Sequence, residues 1–195
     1  MAPTDFRFDL GSPSLNFIAT VGSRLGEQPI ERLGSAQLLS EWIGLAGLLP
    51  PGSRIPKVTA RELNDAIALR EALYRLVHDA VHGVSPQQGD LQMVNAIAAS
   101  APLSAPQLAR LPGGTGLVAT NQPVTVPQIL SLLARDAILT LGGPDRAFLH
   151  ECEGKTCDGV FIDRSRGARR RWCSSRTCGN RARVEQYRAR VAGIT

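Results

Sequence analysis

The chain has 195 residues, 43% of them hydrophobic, enough to bury a core in one large domain or in a medium domain beside a small one. No apolar run approaches the roughly 18–20 residues of a membrane span, and Asp5, Arg7 and Asp9 stand where a secretion signal needs a basic and then an apolar stretch, so no membrane partner and a cytoplasmic location are expected. The formal charge of +5 is uneven, since residues 1–149 hold 11 basic and 12 acidic side chains while residues 150–195 hold 11 and 5, which puts a cationic partner surface in the last quarter.

In chain order, Ser14–Val21 is rich in β-formers and Gln28–Leu33 offers a second short strand, together predicting a hairpin. Ser35 opens a helix whose Leu38, Leu39, Trp42, Ile43, Ala46 and Leu49 recur at spacings of three and four until Pro50-Pro51-Gly52 ends it. Thr59-Ala60-Arg61-Glu62 has capping-box form and starts a helix that buries Leu63, Ile67, Leu73, Tyr74, Val77 and Val81 and stops at Gly83. His78 and His82 lie one turn apart on it. No Glu follows His78 as a zincin motif requires, so a solvated or capping role is expected for both. Ser85-Pro86-Gln87-Gln88 restarts a helix with Pro in its first turn and Leu91, Val94, Ile97 and Ala98 inward. A second hairpin is predicted from Gln107–Leu111 and Leu117–Thr120 around Gly113-Gly114-Thr115-Gly116, a cluster without the Gly-Lys-Ser/Thr ending of a phosphate loop. Thr125 or Val126 leads into a helix from Pro127, with Ile129, Leu130, Leu133, Ala137, Ile138 and Leu141 inward and Gly142-Gly143-Pro144 at its close. The domains are expected at 1–143 and 144–195. No Ser, His and Asp form an assignable triad, and an enzyme is not expected.

The four cysteines form two pairs, Cys152/Cys157 and Cys173/Cys178, each with four intervening residues and with fifteen between the pairs. In a reducing compartment such thiols do not persist as disulfides, and their spacing suits a single Zn²⁺ held tetrahedrally by four thiolates. Four cysteines fill the coordination sphere, so the ion is structural and His150 is not needed as a ligand. Val160-Phe161-Ile162 and Arg171-Trp172-Cys173 are expected to pair as a hairpin between the cysteine pairs, with the second pair at a helix start and Gly179 letting backbone approach the metal, a treble-clef-like order. Phe161, Trp172 and Tyr187 are expected to form the small core, with Val184, Tyr187 and Val191 as the inward stripe of the last helix. Arg181 and Arg188 flank Glu185 and are expected to pair with it, leaving Arg183, Gln186 and Arg190, together with Arg169, Arg170 and Arg171, as the nucleic-acid surface.

Cys152-x4-Cys157, Phe161-Ile162-Asp163-Arg164-Ser165-Arg166, Arg170-Arg171-Trp172-Cys173-Ser174 and Cys178-Gly179-Asn180-Arg181 resemble the bacterial CGNR zinc finger. Residues 14 to about 140 resemble, more loosely, the ABATE domain that precedes this finger in its family. The resemblance implies a stress-induced transcription regulator with an α+β, helix-rich N-terminal domain carrying short β-hairpins, plus a small treble-clef-like finger. It implies DNA as partner, and an N-terminal domain that senses a small-molecule signal or mediates homodimerisation. A protein-interaction adaptor docking an acidic partner and an RNA-binding module are the alternatives. Where the family pattern near residue 15 reads Leu-Asp-Phe-Val-Asn-Thr, this chain has Leu15-Asn16-Phe17-Ile18-Ala19-Thr20, so Asn16 and Ala19 depart at positions that either contact a ligand or hydrogen-bond the fold.

Overall fold

The computed structural model describes residues 5–49, 53–102, 107–118 and 123–193. The first expected strand is a helix: α1 spans Pro13–Ile18, with the Ser12 side chain accepting from the Leu15 amide and Pro13 in the first turn. A cap followed by Pro outweighs the β-propensity of the residues behind it. The expected hairpin survives only as β1 (Val21–Gly22) and β2 (Ile30–Glu31), paired antiparallel with Val21 opposite Glu31. Next comes α2 (Ala36–Leu45), capped by Ser35 and burying Leu39, Trp42 and Ile43. It ends at Leu45, short of the expected stop, so Leu49 lies beyond the helix; Pro50-Pro51-Gly52 itself lies outside the described residues.

The spine is α3 (Ala60–His82), with the capping box of Thr59 and Glu62 at its start and Gly83 in the left-handed region at its end, as expected. Of the expected apolar positions it buries Leu73 and Val77 and half-buries Leu63, Ile67, Tyr74 and Val81; it also buries Ala66, Leu69, Ala72 and Leu76, and the charged Arg70. α4 (Gln88–Ser100) begins two residues after Pro86, which lies before the helix and not in its first turn, and Arg75 grips its buried Asp90 through two bonds of 2.8 and 2.7 Å. β3 (Gln107–Leu111) and β4 (Gly114–Val118) form the second hairpin about a two-residue turn, so Gly114 is in a strand; Ala119 and Thr120 lie outside the described residues.

α5 (Val126–Gly142) carries a second capping box, Thr125 with Gln128, and lies against α3 and α4. Fully burying one of its leucines, such as Leu133, contributes about 1.5–3 kcal/mol. Ile138, expected inward, is exposed. Polar contacts fix α5's neighbours: Ser131 Oγ and Arg135 Nε donate to the Ala98 carbonyl at the end of α4, and Asp136 accepts from the Ser14 amide in the first turn of α1. Orphaned helix-end groups are thus satisfied by side chains. Among the described residues no helix is long and apolar enough to cross a membrane.

A 3-10 turn (Pro144–Phe148) follows α5, and the remaining elements are β5 (Leu149–Glu151), β6 (Val160–Ile162), one π-turn (Ser175–Gly179) and α6 (Asn180–Val191). They sit against the helical part through the N-terminal segment. Gly11, at φ 103°, comes so close to Ile162 that a Cβ there would lie 2.8 Å from the Ile162 Cβ, and the Ile162 amide donates to Leu10 O at 2.8 Å.

Candidate metal centre and basic helix

The hairpin of the C-terminal unit closes around the first cysteine pair, not between the pairs. β5 and β6 pair antiparallel with His150 opposite Phe161, and the loop joining them carries Cys152 and Cys157. The Cys152 amide donates to Gly159 O and the Cys157 amide to Gly154 O, which folds the loop into a knuckle. Arg171–Cys173 is not a strand; one bond, from the Glu153 amide to Arg171 O, ties it to the knuckle. The intervening loop is organised instead by Asp163, whose buried carboxylate accepts from the amides of Ser165 and Arg170 at 2.8 Å each. That carboxylate is a stronger organiser than a short strand pairing, because it satisfies two loop donors at once.

The second pair stands at a helix start, as expected. Ser174 Oγ accepts from the Thr177 amide, the π-turn presents Cys178, and α6 follows without a break. Gly179 faces Trp172 and not the metal site: a Cβ there would meet the indole at 3.3 Å. The glycine nearest the sulfurs is Gly159, whose amide donates to Cys157 Sγ at 3.4 Å.

All four Sγ atoms lie within 4.8 Å of one another, with Cys157–Cys173 and Cys173–Cys178 both at 3.6 Å. Zn–S bonds of about 2.3 Å in a tetrahedron place sulfurs about 3.8 Å apart. The four cysteines are free of disulfides, and their sulfurs fit one zinc ion. Cys152, Cys173 and Cys178 are buried and Cys157 is half-buried. A Zn–Cys₄ cluster carries −2, and a cation meets it: Arg7 donates from Nη1 to Cys173 Sγ at 2.9 Å and from Nη2 to Cys173 O, while Asp9 holds the other edge of the same guanidinium. No local pattern announced Arg7, which lies 166 residues from its sulfur.

Further contacts join α3 to the knuckle. Tyr74 O–H donates to Asp158 Oδ2 at 2.6 Å, His78 Nε2 to Asp158 O at 2.9 Å, and His82 pairs with Glu151 at 2.8 Å. Neither histidine is simply solvated; both dock the helix on the cysteine unit. A charged network adjoins them. Arg70 forks Glu31 and bonds Glu71, and Arg24 forks Glu71 while lying 4.1 Å from the centre of the Tyr74 ring. Of the two departing positions near residue 15, Asn16 accepts from the Leu10 amide and so holds the fold, whereas Ala19 lines a cavity at the seam between α1, the first hairpin and the knuckle.

The expected basic surface divides. Arg170 is half-buried, 4.4 Å from the Phe161 ring centre, and donates to the carbonyls of Trp172 and Cys173. Arg171 pairs with Glu153 and lies over Trp172. Arg170 thus builds the cysteine unit, whereas Arg171 stays 58% exposed while paired with Glu153. Arg169 is exposed, as are Arg183, Gln186 and Arg190.

The last helix is rotated relative to expectation. Val184, Tyr187 and Val191 are 39%, 64% and 71% exposed, and the half-buried positions are Ala182 and Ala189. Seven residues apart, these alanines share a face and, with Trp172 and the Gly154–Thr156 loop, line a cavity of about 280 Å³, so the apolar stripe points outward. Phe161 and Trp172 form the small core without Tyr187. Glu185 pairs with Lys155 at 3.3 Å and not with Arg181 or Arg188, and Arg181 donates to Thr156.

Residues 11–144 match the ABATE family, described as "putative stress-induced transcription regulator", and residues 149–191 match the CGNR zinc finger. No curated protein matches the chain.

Proposed function

We propose that this chain, which belongs to the ABATE family and carries a CGNR zinc finger, is a non-enzymatic transcription regulator that grips duplex DNA with α6. One observation carries the reading: α6 is a 12-residue helix with four arginines, and none of its residues is buried. A helix about 18 Å long with no buried residue contributes little to its own domain's core, and its width suits a major groove of about 12 Å. Its single acid, Glu185, is neutralised by Lys155 on the inner side. Arg183 and Arg190 flank the outward stripe on one side and Arg188 on the other, which suits phosphates and guanine edges, while Val184 and Val191 between them suit thymine methyl groups. The zinc is structural, holding the start of α6 against the knuckle. The helical domain supplies signal sensing or dimerisation.

Selection of genomic fragments on the zinc-loaded chain at near-physiological salt tests the reading and yields the preferred sequence. Binding weakens steeply with salt, and the double substitution Arg183→Ala with Arg190→Ala reduces the slope of log K against log salt by roughly 2. An unchanged slope rejects this face. The outward Val184, Tyr187 and Val191 also favour a second reading, an adaptor or dimer that docks a protein there. That reading is preferred if no DNA is retained and Tyr187→Ala abolishes self-association or partner capture.

A further inference from the structure

Arg32 is 3% exposed, and among the described residues no group accepts a hydrogen bond from it; its Nε is buried without a partner. A buried guanidinium ordinarily has a carboxylate in contact, as Arg70 has Glu31 in the same chain. Burial pushes Arg32 below its ordinary value, and the charges of Asp5 and Glu31 offset this from a distance without an ion pair.

The side chain lines the cavity of about 60 Å³ at the seam between the helical domain and the zinc finger. A water takes about 10–15 Å³ in this measure, so the space holds an oxyanion and a few carbons but no nucleotide. Three further arginines line it, Arg7, Arg24 and Arg181, against one carboxylate, Asp158, which is already bonded to Tyr74. Arg7 and Arg24 are each engaged by an acid, and Arg181 bonds Thr156. Thr156 is neutral, so Arg181 keeps its charge, but Arg181 is exposed and Cys157 and Cys178 of the anionic cluster stand on its side of the lining; the buried cation without a hydrogen-bonded partner is Arg32. Ile18, Val21 and Ile30 supply an apolar wall beside it.

We propose that this cavity binds the carboxylate or phosphate head of a small molecule, with Arg32 as the cation that pairs with it. A planar guanidinium fork matches either head, and a desolvated fork gives up little hydration on pairing. Arg7 and Arg24 add field without losing their own partners. Because Cys157 and Arg181 also line the cavity, the bound anion touches both matched regions of the chain at once. The site thereby supplies the signal that the proposed regulator senses; this consequence rests on that reading, whereas binding itself does not.

The test is thermal unfolding of the full, zinc-loaded chain with inorganic phosphate and, separately, with acetate, propionate and butyrate, each against chloride at equal ionic strength. A ligand at a hundredfold excess over its Kd raises Tm by about 5–10 °C for a chain of this size. The probe with the larger rise identifies the head group. Arg32→Met abolishes the rise and, because it removes an unpaired buried charge, raises the Tm of the anion-free protein while leaving about one zinc per chain by metal analysis. Gly22→Ala is the milder variant: a Cβ there would lie 2.6 Å from Arg32 Nη1, so it displaces the guanidinium, weakens binding and leaves the fold intact. No rise beyond chloride for any probe overturns the proposal. So does a rise that persists in both variants, or an Arg32→Met protein that is less stable or loses zinc, since Arg32 is then structural. No DNA enters the measurement, so failure here is distinct from failure of the DNA reading.

Discussion

The contact of Arg7 with Cys173 gives the sharpest numerical test of the metal centre. Arg7→Met keeps most of the apolar stem but removes the donor 2.9 Å from Cys173 Sγ, at a residue that is fully buried. A hydrogen bond to a charged acceptor contributes about 1.5–3 kcal/mol, and at about 1.4 kcal/mol per decade its loss weakens zinc binding roughly 10–100-fold. Loss of an outer-shell partner in metal sites typically falls in the same range. The assay is competition for zinc between the folded chain and a chromophoric chelator at fixed pH. Arg7→Lys keeps the charge without the fork and should fall between wild type and Arg7→Met. Substituting the exposed Arg110, far from the site, serves as control. Zinc affinity of Arg7→Met within about twofold of wild type, against the tenfold minimum expected, would refute the claim that Arg7 neutralises the cluster.

Two further predictions concern the charged network beneath the finger. Arg70→Met leaves Glu31 and Glu71 without their shared partner; because those carboxylates are 41% and 30% exposed, the loss is about 2–3 kcal/mol at neutral pH, below that for a fully buried pair. Burial pushes both carboxyls up, but hydrogen bonds from Arg70 to Glu31 and from Arg24 to Glu71 outweigh it and hold both below the ordinary 4.5. Depressed folded values give stability that is complete above 4.5 and is lost as pH falls through them, so the gap between wild type and variant in urea unfolding should narrow in acid. A gap equal at pH 7 and in acid counts against the network. For Tyr74, burial and then the bond to Asp158 push the phenol up to about 12. A raised value gives stability complete below 10 and lost as pH rises towards 12. Ultraviolet titration of the two tyrosines should show a late component that Tyr74→Phe removes, and a single component near 10 would contradict the contact.

Local signals decided what was legible beforehand. Thr59 and Glu62 announced α3 because a capping box is complete within four residues, and the cysteine spacing announced the metal because its geometry is local too. Over residues 14–21 β-propensity points to a strand, but the Ser12-Pro13 start signal just before them overrides it. In the finger, Val160–Ile162 had two plausible mates, and period-two patterning cannot choose between a strand before it and one after it. The rotation of α6 is illegible for a related reason: Val184, Tyr187 and Val191 make the more apolar face, yet it is the alanines opposite that turn towards Trp172 and the knuckle loop. Arg7, Arg32 and Asp158 were illegible because their meaning depends on contacts across most of the chain.

The segment at residues 7–10 has a kinetic consequence. It touches the finger at Cys173 and Ile162, so one contact closes a loop of 166 residues, an ordering that costs on the order of 4–5 kcal/mol in chain entropy. Closures that long follow local ones. By that ordering the cysteine pairs, close in sequence, close their short loops before the strap is drawn across the helices. Seating the strap is then the step that joins metal capture to completion of the whole fold.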